Sequence, residues 1–215
     1  MVSWRRLLSH IVPIPVARFQ SEFSGPMDIR WENGRLSLNS INANYSFAHL
    51  HKIMSKALTK CHLDKHSKQD VLLLGMGAGS VVSILRDEWG LSWPIDSVEK
   101  DGRIIEVARE FFHIDRFENH RIHQEDAERF MRETDHEWSL IIVDLFIDRK
   151  VPQRFLSREF WVLLQSRLRR GGKVIFNHMD DLSGHPLAVH LPIESYDLIR
   201  SGENRVLIYR KGDRS

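Results

Sequence analysis

The stretch Asp70-Val71-Leu72-Leu73-Leu74-Gly75-Met76-Gly77-Ala78-Gly79-Ser80 decides how the chain is read. Its four consecutive apolar residues suit a strand buried on both faces. The glycines at alternate positions let the backbone turn sharply and come close to a ligand. A helix is expected to leave this loop over residues 80–89. Strand, loop and helix N-terminus together present backbone N–H groups at the carboxyl edge of a sheet, where α/β folds take nucleotides. Ser80 stands where a dinucleotide fingerprint has its third glycine, and the spacing by itself admits any nucleoside ligand.

Downstream the pattern alternates. Ile95 to Glu99 reads as a strand, and Asp101 can cap a helix whose apolar face is Ile104, Ile105, Val107, Ala108, Phe111 and Phe112. Arg121 to Gln124 is a weaker strand, Asp126 opens a short helix through Arg132, and Leu140 to Leu145 is a fourth strand. A helix beginning at Ser157 is expected to stop at Gly171-Gly172, followed by a strand over Lys173 to Asn177. Ile193–Arg200 and Arg205–Arg210 read as an antiparallel pair joined at Ser201-Gly202-Glu203-Asn204. The expected fold is α/β, a doubly wound, mostly parallel sheet of the Rossmann kind with an antiparallel last strand at one edge.

Upstream, Asp28 to Asn39 alternates around Asn33-Gly34, a β-hairpin signal. Helical spacing of Phe47, Leu50, Ile53, Met54, Ala57 and Leu58 predicts a helix over 46–60. Residues 1–26, punctuated by Pro13, Pro15 and Pro26, read as irregular. The chain therefore divides into an N-terminal extension, 1–66, and a nucleoside-binding domain, 67–215.

The 215 residues carry 31 basic and 29 acidic side chains, a net charge of +2 that gives no reason to expect a nucleic-acid partner. The lone Cys61 excludes an intrachain disulfide and fits a reducing, cytoplasmic setting. Arg5 and Arg6 precede the apolar stretch Leu7 to Ala17 in the manner of a signal peptide. His10, Pro13 and Pro15 interrupt it, and no small-residue cleavage site follows. No run is long enough to span a membrane, and no membrane partner is expected. No metal-ligand spacing occurs: there is no CxxC, and His49 and His51 do not share a helical face.

Three carboxylates fall at consecutive strand ends. Glu99, 20 residues beyond Gly79, is placed to accept the hydroxyl protons of a ribose lying over the glycine loop. Asp126 lies within reach of an adenine amino group, and Asp144 stands where a substituent on the nucleoside would project. Asp148, Asn177 and His178 sit on neighbouring loops and are candidates for an acceptor site. Arg167, Arg169 and Arg170 are read as structural, at a helix C-terminus.

The run Val71 to Ser80, the strand end Ser97-Val98-Glu99-Lys100-Asp101, the turn Glu125-Asp126-Ala127 and the strand Leu140 to Asp144 resemble the spermidine synthase-like branch of class I S-adenosylmethionine-dependent transferases. The resemblance takes in the hairpin, Asn44-Tyr45-Ser46 and Gly171-Gly172-Lys173, covering about residues 28–178. It implies that Gly75, Gly77 and Gly79 line the donor's amino-acid or aminopropyl side, Glu99 holds the ribose, and Asp126 with Ala127 holds the adenine. It also implies a possible homodimer, for which an exposed hairpin edge and Trp31 would suit.

The chain departs from that family at the acceptor side. Ala78 replaces a loop aspartate, and Leu145-Phe146-Ile147-Asp148 replaces Ser-Ser-Asp-Pro after the strand-four aspartate. The family's Tyr-His-Glu element has no counterpart in Ser46-Phe47-Ala48-His49, and its hairpin glutamine falls at Ser37. A diamine cation needs carboxylates in place of its hydration shell. The first expectation is therefore methyl transfer from S-adenosylmethionine to an unidentified small acceptor, with Asp144 orienting or deprotonating it. The alternatives are aminopropyl transfer from decarboxylated S-adenosylmethionine to a polyamine, and a non-catalytic nucleoside-binding module. A nicotinamide dehydrogenase fits the glycine spacing and the final antiparallel pair poorly.

Overall fold

The computed structural model describes residues 4–40, 47–63, 67–147, 150–178, 196–201 and 204–212. Two sheets organise them. The larger has seven strands: β4 (Val71–Leu74), β5 (Ile95–Glu99), β6 (His120–Gln124), β7 (Trp138–Val143), β8 (Leu168–His178), β9 (Tyr196–Ser201) and β10 (Asn204–Arg210), in the order β6-β5-β4-β7-β8-β10-β9. The β6-β5-β4-β7-β8 pairings are parallel, and β10 runs antiparallel to both β8 and β9. The reversed strand, expected at the edge, is thus second from it: β10 inserts between β8 and β9, burying Val206 and Leu207 completely.

All four residues of β4 are buried, as an apolar run at the centre of a parallel sheet requires. Val71 and Leu73 face one core layer with Ile142 and Ile175, while Leu72 and Leu74 face the other with Val143 and Phe176. Helices α3 (Ser80–Ser83, continued by a π-turn over Ile84–Glu88) and α4 (Gly102–Phe112) pack on the first layer. Helices α5 (Ala127–Glu133) and α6 (Arg158–Ser166) pack on the second. Helix α2 (Phe47–Lys60), grouped with the extension from sequence, places Ile53, Met54, Ala57 and Leu58 in the first layer against the large sheet.

Helix α6 ends at Ser166, not at Gly171-Gly172. Leu168 is drawn into the core opposite Trp138, and Arg169 reaches Asp70 (2.9 Å), which carries the chain straight into β8. The two glycines instead form an irregularity within β8, where a Cβ on Gly172 would lie 2.8 Å from the Arg169 carbonyl. Of the three arginines, only Arg167 remains at the helix end; Arg169 and Arg170 belong to the strand.

The smaller sheet, β1-β2-β3, consists of β1 (Ile14–Ser21), β2 (Gly25–Glu32) and β3 (Arg35–Ser40), preceded by α1 (Trp4–Leu8). The expected hairpin is β2–β3, with Asn33 and Gly34 both at positive φ in a two-residue turn. Residues 14–21, read as irregular, pair with β2. β1 is an edge strand, the place in a sheet where proline is tolerated, and its register shifts between Pro15 and Ala17. Asp101 ties the two sheets together. One carboxylate oxygen accepts from Ser21 Oγ (2.5 Å) and the Glu22 amide (3.1 Å), and the other caps α4 through the amides of Arg103 (2.9 Å) and Ile104 (3.3 Å). No helix among the described residues is long and apolar enough to cross a membrane.

Candidate active site

Strand order turns the separated motifs into one row. β5, β4, β7 and β8 are consecutive neighbours, and their carboxyl ends carry Glu99, the glycine loop, Asp144 and Asn177. The chain winds outward in both directions from β4, so the loops after β4 and β7 diverge and open a crevice at this edge.

The loop follows from its backbone. Gly75, Gly77 and Gly79 have φ of 86°, 54° and 85°, values that side chains with a Cβ rarely adopt. Gly75 is also pressed against β7: a Cβ there would lie 2.3 Å from the Asp144 carbonyl oxygen. Among the described residues nothing lies within 4 Å of the Gly77 Cβ position, which leaves its backbone approachable. No side chain caps α3, and its first-turn N–H groups lie at the same edge.

Glu99 latches this loop. Its carboxylate accepts from the Gly77 amide (3.0 Å) and the Asp101 amide (3.0 Å). Burial pushes its pKa up, and the neighbouring Asp101 charge adds to this against the opposing pull of the Asp101, Gly77 and Lys100 amides. A carboxylate held this way keeps lone pairs to accept from two vicinal hydroxyls.

Asp144 continues the β7 ladder, its amide donating to the Leu74 carbonyl (2.8 Å). Burial pushes its pKa up to about 6, opposed by the Asn177 side-chain amide, which donates to it over 2.8 Å. Asn177 is buried, and its Oδ1 accepts no hydrogen bond among the described residues. A carboxylate with its pKa pushed up to about 6 at the carboxyl edge of the sheet is suited to taking a proton from an attacking nucleophile.

The other expected residues are distributed differently. Asp126 accepts from the amides of Glu128 (3.0 Å) and Arg129 (3.3 Å) as the N-cap of α5, and both of its oxygens bond Arg154. Burial alone would raise its pKa; the Arg154 and amide hydrogen bonds outweigh that and lower it. Ala127 is buried in the first turn of α5. His178 is brought beside Phe176, ring centroids 6.4 Å apart, on the layer opposite to that of Asn177 and Asp144, because alternate strand residues face opposite ways. Asp148 and Asn44-Tyr45-Ser46 lie outside the described residues.

Two participants escaped the sequence. Arg154 reaches Asp126 from 28 residues away, and Ser21 reaches Asp101 from 80, separations at which no local spacing carries a signal.

A family model described as a spermine/spermidine synthase domain matches residues 51–187. The polyamine aminopropyltransferase of Vibrio vulnificus is 27% identical over 110 residues, covering 50% of this chain and 36% of that protein. The namesake from Lachnospira eligens is 30% identical over 114 residues, covering 51% and 40%. The chain thus spans about two-fifths of the length of these curated relatives. Among solved structures, a probable spermidine synthase from Corynebacterium glutamicum superposes with a TM-score of 0.69 at 23% identity, covering 91% of this chain and 80% of that one, a likeness of fold.

These relatives correct the expectation of methyl transfer. That expectation rested on Ala78 and on the absent acceptor-side carboxylates, but the matched relatives are named polyamine aminopropyltransferases. Missing a carboxylate at one position excludes an ammonium ligand only if no other carboxylate is near. Gly75, in the same loop, packs on the backbone carbonyl of Asp144, which sets that residue beside the loop. With the family model matching well over half of its length, the chain belongs to the spermine/spermidine synthase domain family.

Proposed function

We propose that the chain is an aminopropyltransferase, moving the aminopropyl group of decarboxylated S-adenosylmethionine to a polyamine. The observation that carries this reading is the row of Glu99, glycine loop, Asp144 and Asn177 on four adjacent strands, in a family whose matched relatives are named for this transfer. Glu99 accepts from the donor's ribose, and loop backbone lies along its sulfonium-bearing chain. Asp126, held by Arg154, with Ala127 borders the adenine. An acceptor amine attacks the aminopropyl carbon next to sulfur in line. The C–S bond breaks as the C–N bond forms, methylthioadenosine leaves, and Asp144 takes the proton from nitrogen.

Calorimetric titration with S-adenosylmethionine, its decarboxylated form and methylthioadenosine, with Glu99→Ala as control, tests the reading together with product analysis on putrescine and spermidine. Preference for the decarboxylated donor and release of methylthioadenosine with a lengthened polyamine are expected. Preference for the carboxylated donor, or a methylated product, overturns it.

A further inference from the structure

Among the described residues, seven large hydrophobic side chains are exposed, and five of them fall between Trp4 and Val12. Trp4 and Leu7 are each 63% exposed, Leu8 44%, Ile11 80% and Val12 54%. The cause is an inverted docking. α1 and the turn after it are fixed to the β2–β3 turn by their polar atoms. Ser9 is buried; its Oγ accepts from the Gly34 amide (2.9 Å) and its carbonyl from the Asn33 amide (2.9 Å). Arg6 Nε donates to the Gly34 carbonyl (3.0 Å), and the His10 ring occupies the space where a Gly34 Cβ would stand. With the polar side used for attachment, the apolar side is left facing outward. An ordinary amphipathic helix does the opposite.

The charged residues of the segment itself, Arg5 and Arg6, are both cationic, while Glu32 precedes the turn that holds it. Residues 4–21 include Arg5, Arg6 and Arg18, and the first acidic residue of the chain is Glu22. The Arg5 guanidinium lies 5.6 Å from the Trp4 ring centroid, at the rim of the patch. A tryptophan at the edge of an apolar surface, in a segment whose own charges are arginines, matches the boundary of an anionic bilayer, where rings sit at headgroup level and cations meet lipid phosphates. A second copy fits less well: pairing two such patches would set Arg5 and Arg6 of one molecule against those of the other, with no nearby carboxylate from residues 4–21 between them.

We propose that residues 4–12 form a docking surface for an anionic lipid membrane, on which the protein rests without spanning it. This revises the sequence expectation of no membrane contact. Arg5, beside the Trp4 ring, becomes its electrostatic contact.

The test is sedimentation of the full chain with phosphatidylcholine vesicles and with vesicles that also contain phosphatidylserine, alongside analytical ultracentrifugation without lipid. The chain is expected to sediment with the anionic vesicles, much less with the neutral ones, and to be released by salt. The exposed pair Leu7→Asp/Ile11→Asp should lose vesicle binding while melting temperature and donor binding stay unchanged. Arg5→Gln should weaken partitioning about fivefold. No sedimentation with either vesicle overturns the proposal, as does equal binding to both or binding retained by the double variant. Concentration-dependent dimers dissolved by the double variant would overturn it too, assigning the patch to a second copy.

Discussion

Asp144 and Asn177 are the pair on which the proposed chemistry turns. With its pKa pushed up to about 6, Asp144 is ionised, and able to accept a proton, only above that pH. The kcat/KM profile is therefore expected to rise with an acid limb near pH 6. Asn177 donates to the carboxylate and so favours its charged form. Replacing it by leucine should move the limb upward by about one pH unit, while a purely structural role would lower the plateau and leave the limb in place. Asp144→Asn should abolish turnover with donor affinity kept within about tenfold, measured by calorimetry. Loss of donor binding instead would place Asp144 in the donor site.

At the scale of elements, the glycine loop and the first residue before β4 make separate demands. Gly75→Ala puts a Cβ against the Asp144 carbonyl at a φ of 86°. It should cost roughly 1–3 kcal/mol in thermal unfolding and weaken donor binding at the same time. Asp70 anchors β4 to its neighbours at the opposite edge of the sheet, accepting from His136 (2.9 Å), the Ser139 amide (2.9 Å), Ser139 Oγ (3.1 Å) and Arg169 (2.9 Å). Burial alone would raise its pKa, but these donors and the arginine charge hold it below the ordinary aspartate range. The unfolded chain thus binds the proton more tightly than the folded one, and the stabilisation is complete above pH 3.8, then lost as pH falls through the folded value. Asp70→Asn should destabilise by about 1–3 kcal/mol at pH 7, a gap that closes in acid when both proteins are melted side by side.

Across the whole molecule, Asp101 joins the small sheet to the helix that follows β5, with four donors on one buried carboxylate. Asp101→Ala leaves the cap amides and Ser21 without their acceptor and should cost about 2–4 kcal/mol. Hydrogen exchange is expected to show β1 and β2 losing protection before the seven-stranded sheet does. Uniform loss over both sheets would mean that Asp101 supports only α4. Aromatic contacts reinforce the same seam, with Lys100 lying 3.8 Å over the Phe23 ring and Arg103 5.8 Å over Phe19.

The periodicities alone determined the alternation of strands and helices, the antiparallel β10 and the two-residue turn at Asn33-Gly34, because apolar spacing and turn chemistry act over a few residues. The glycine loop and the carboxylates at strand ends were legible for the same reason. Strand order, the joining of Asn177 to Asp144, the turning away of His178, the ion pair of Asp126 with Arg154 and the Ser21–Asp101 link were decided only by tertiary structure. Each depends on contacts between residues distant in the chain, where packing chooses among partners that local sequence leaves equivalent. The ends of α6 and β1 belong with these. Burial of Leu168 and the Arg169–Asp70 pair overrode the glycine stop signal, and an edge position gave a place to a proline-containing strand that propensity disfavours.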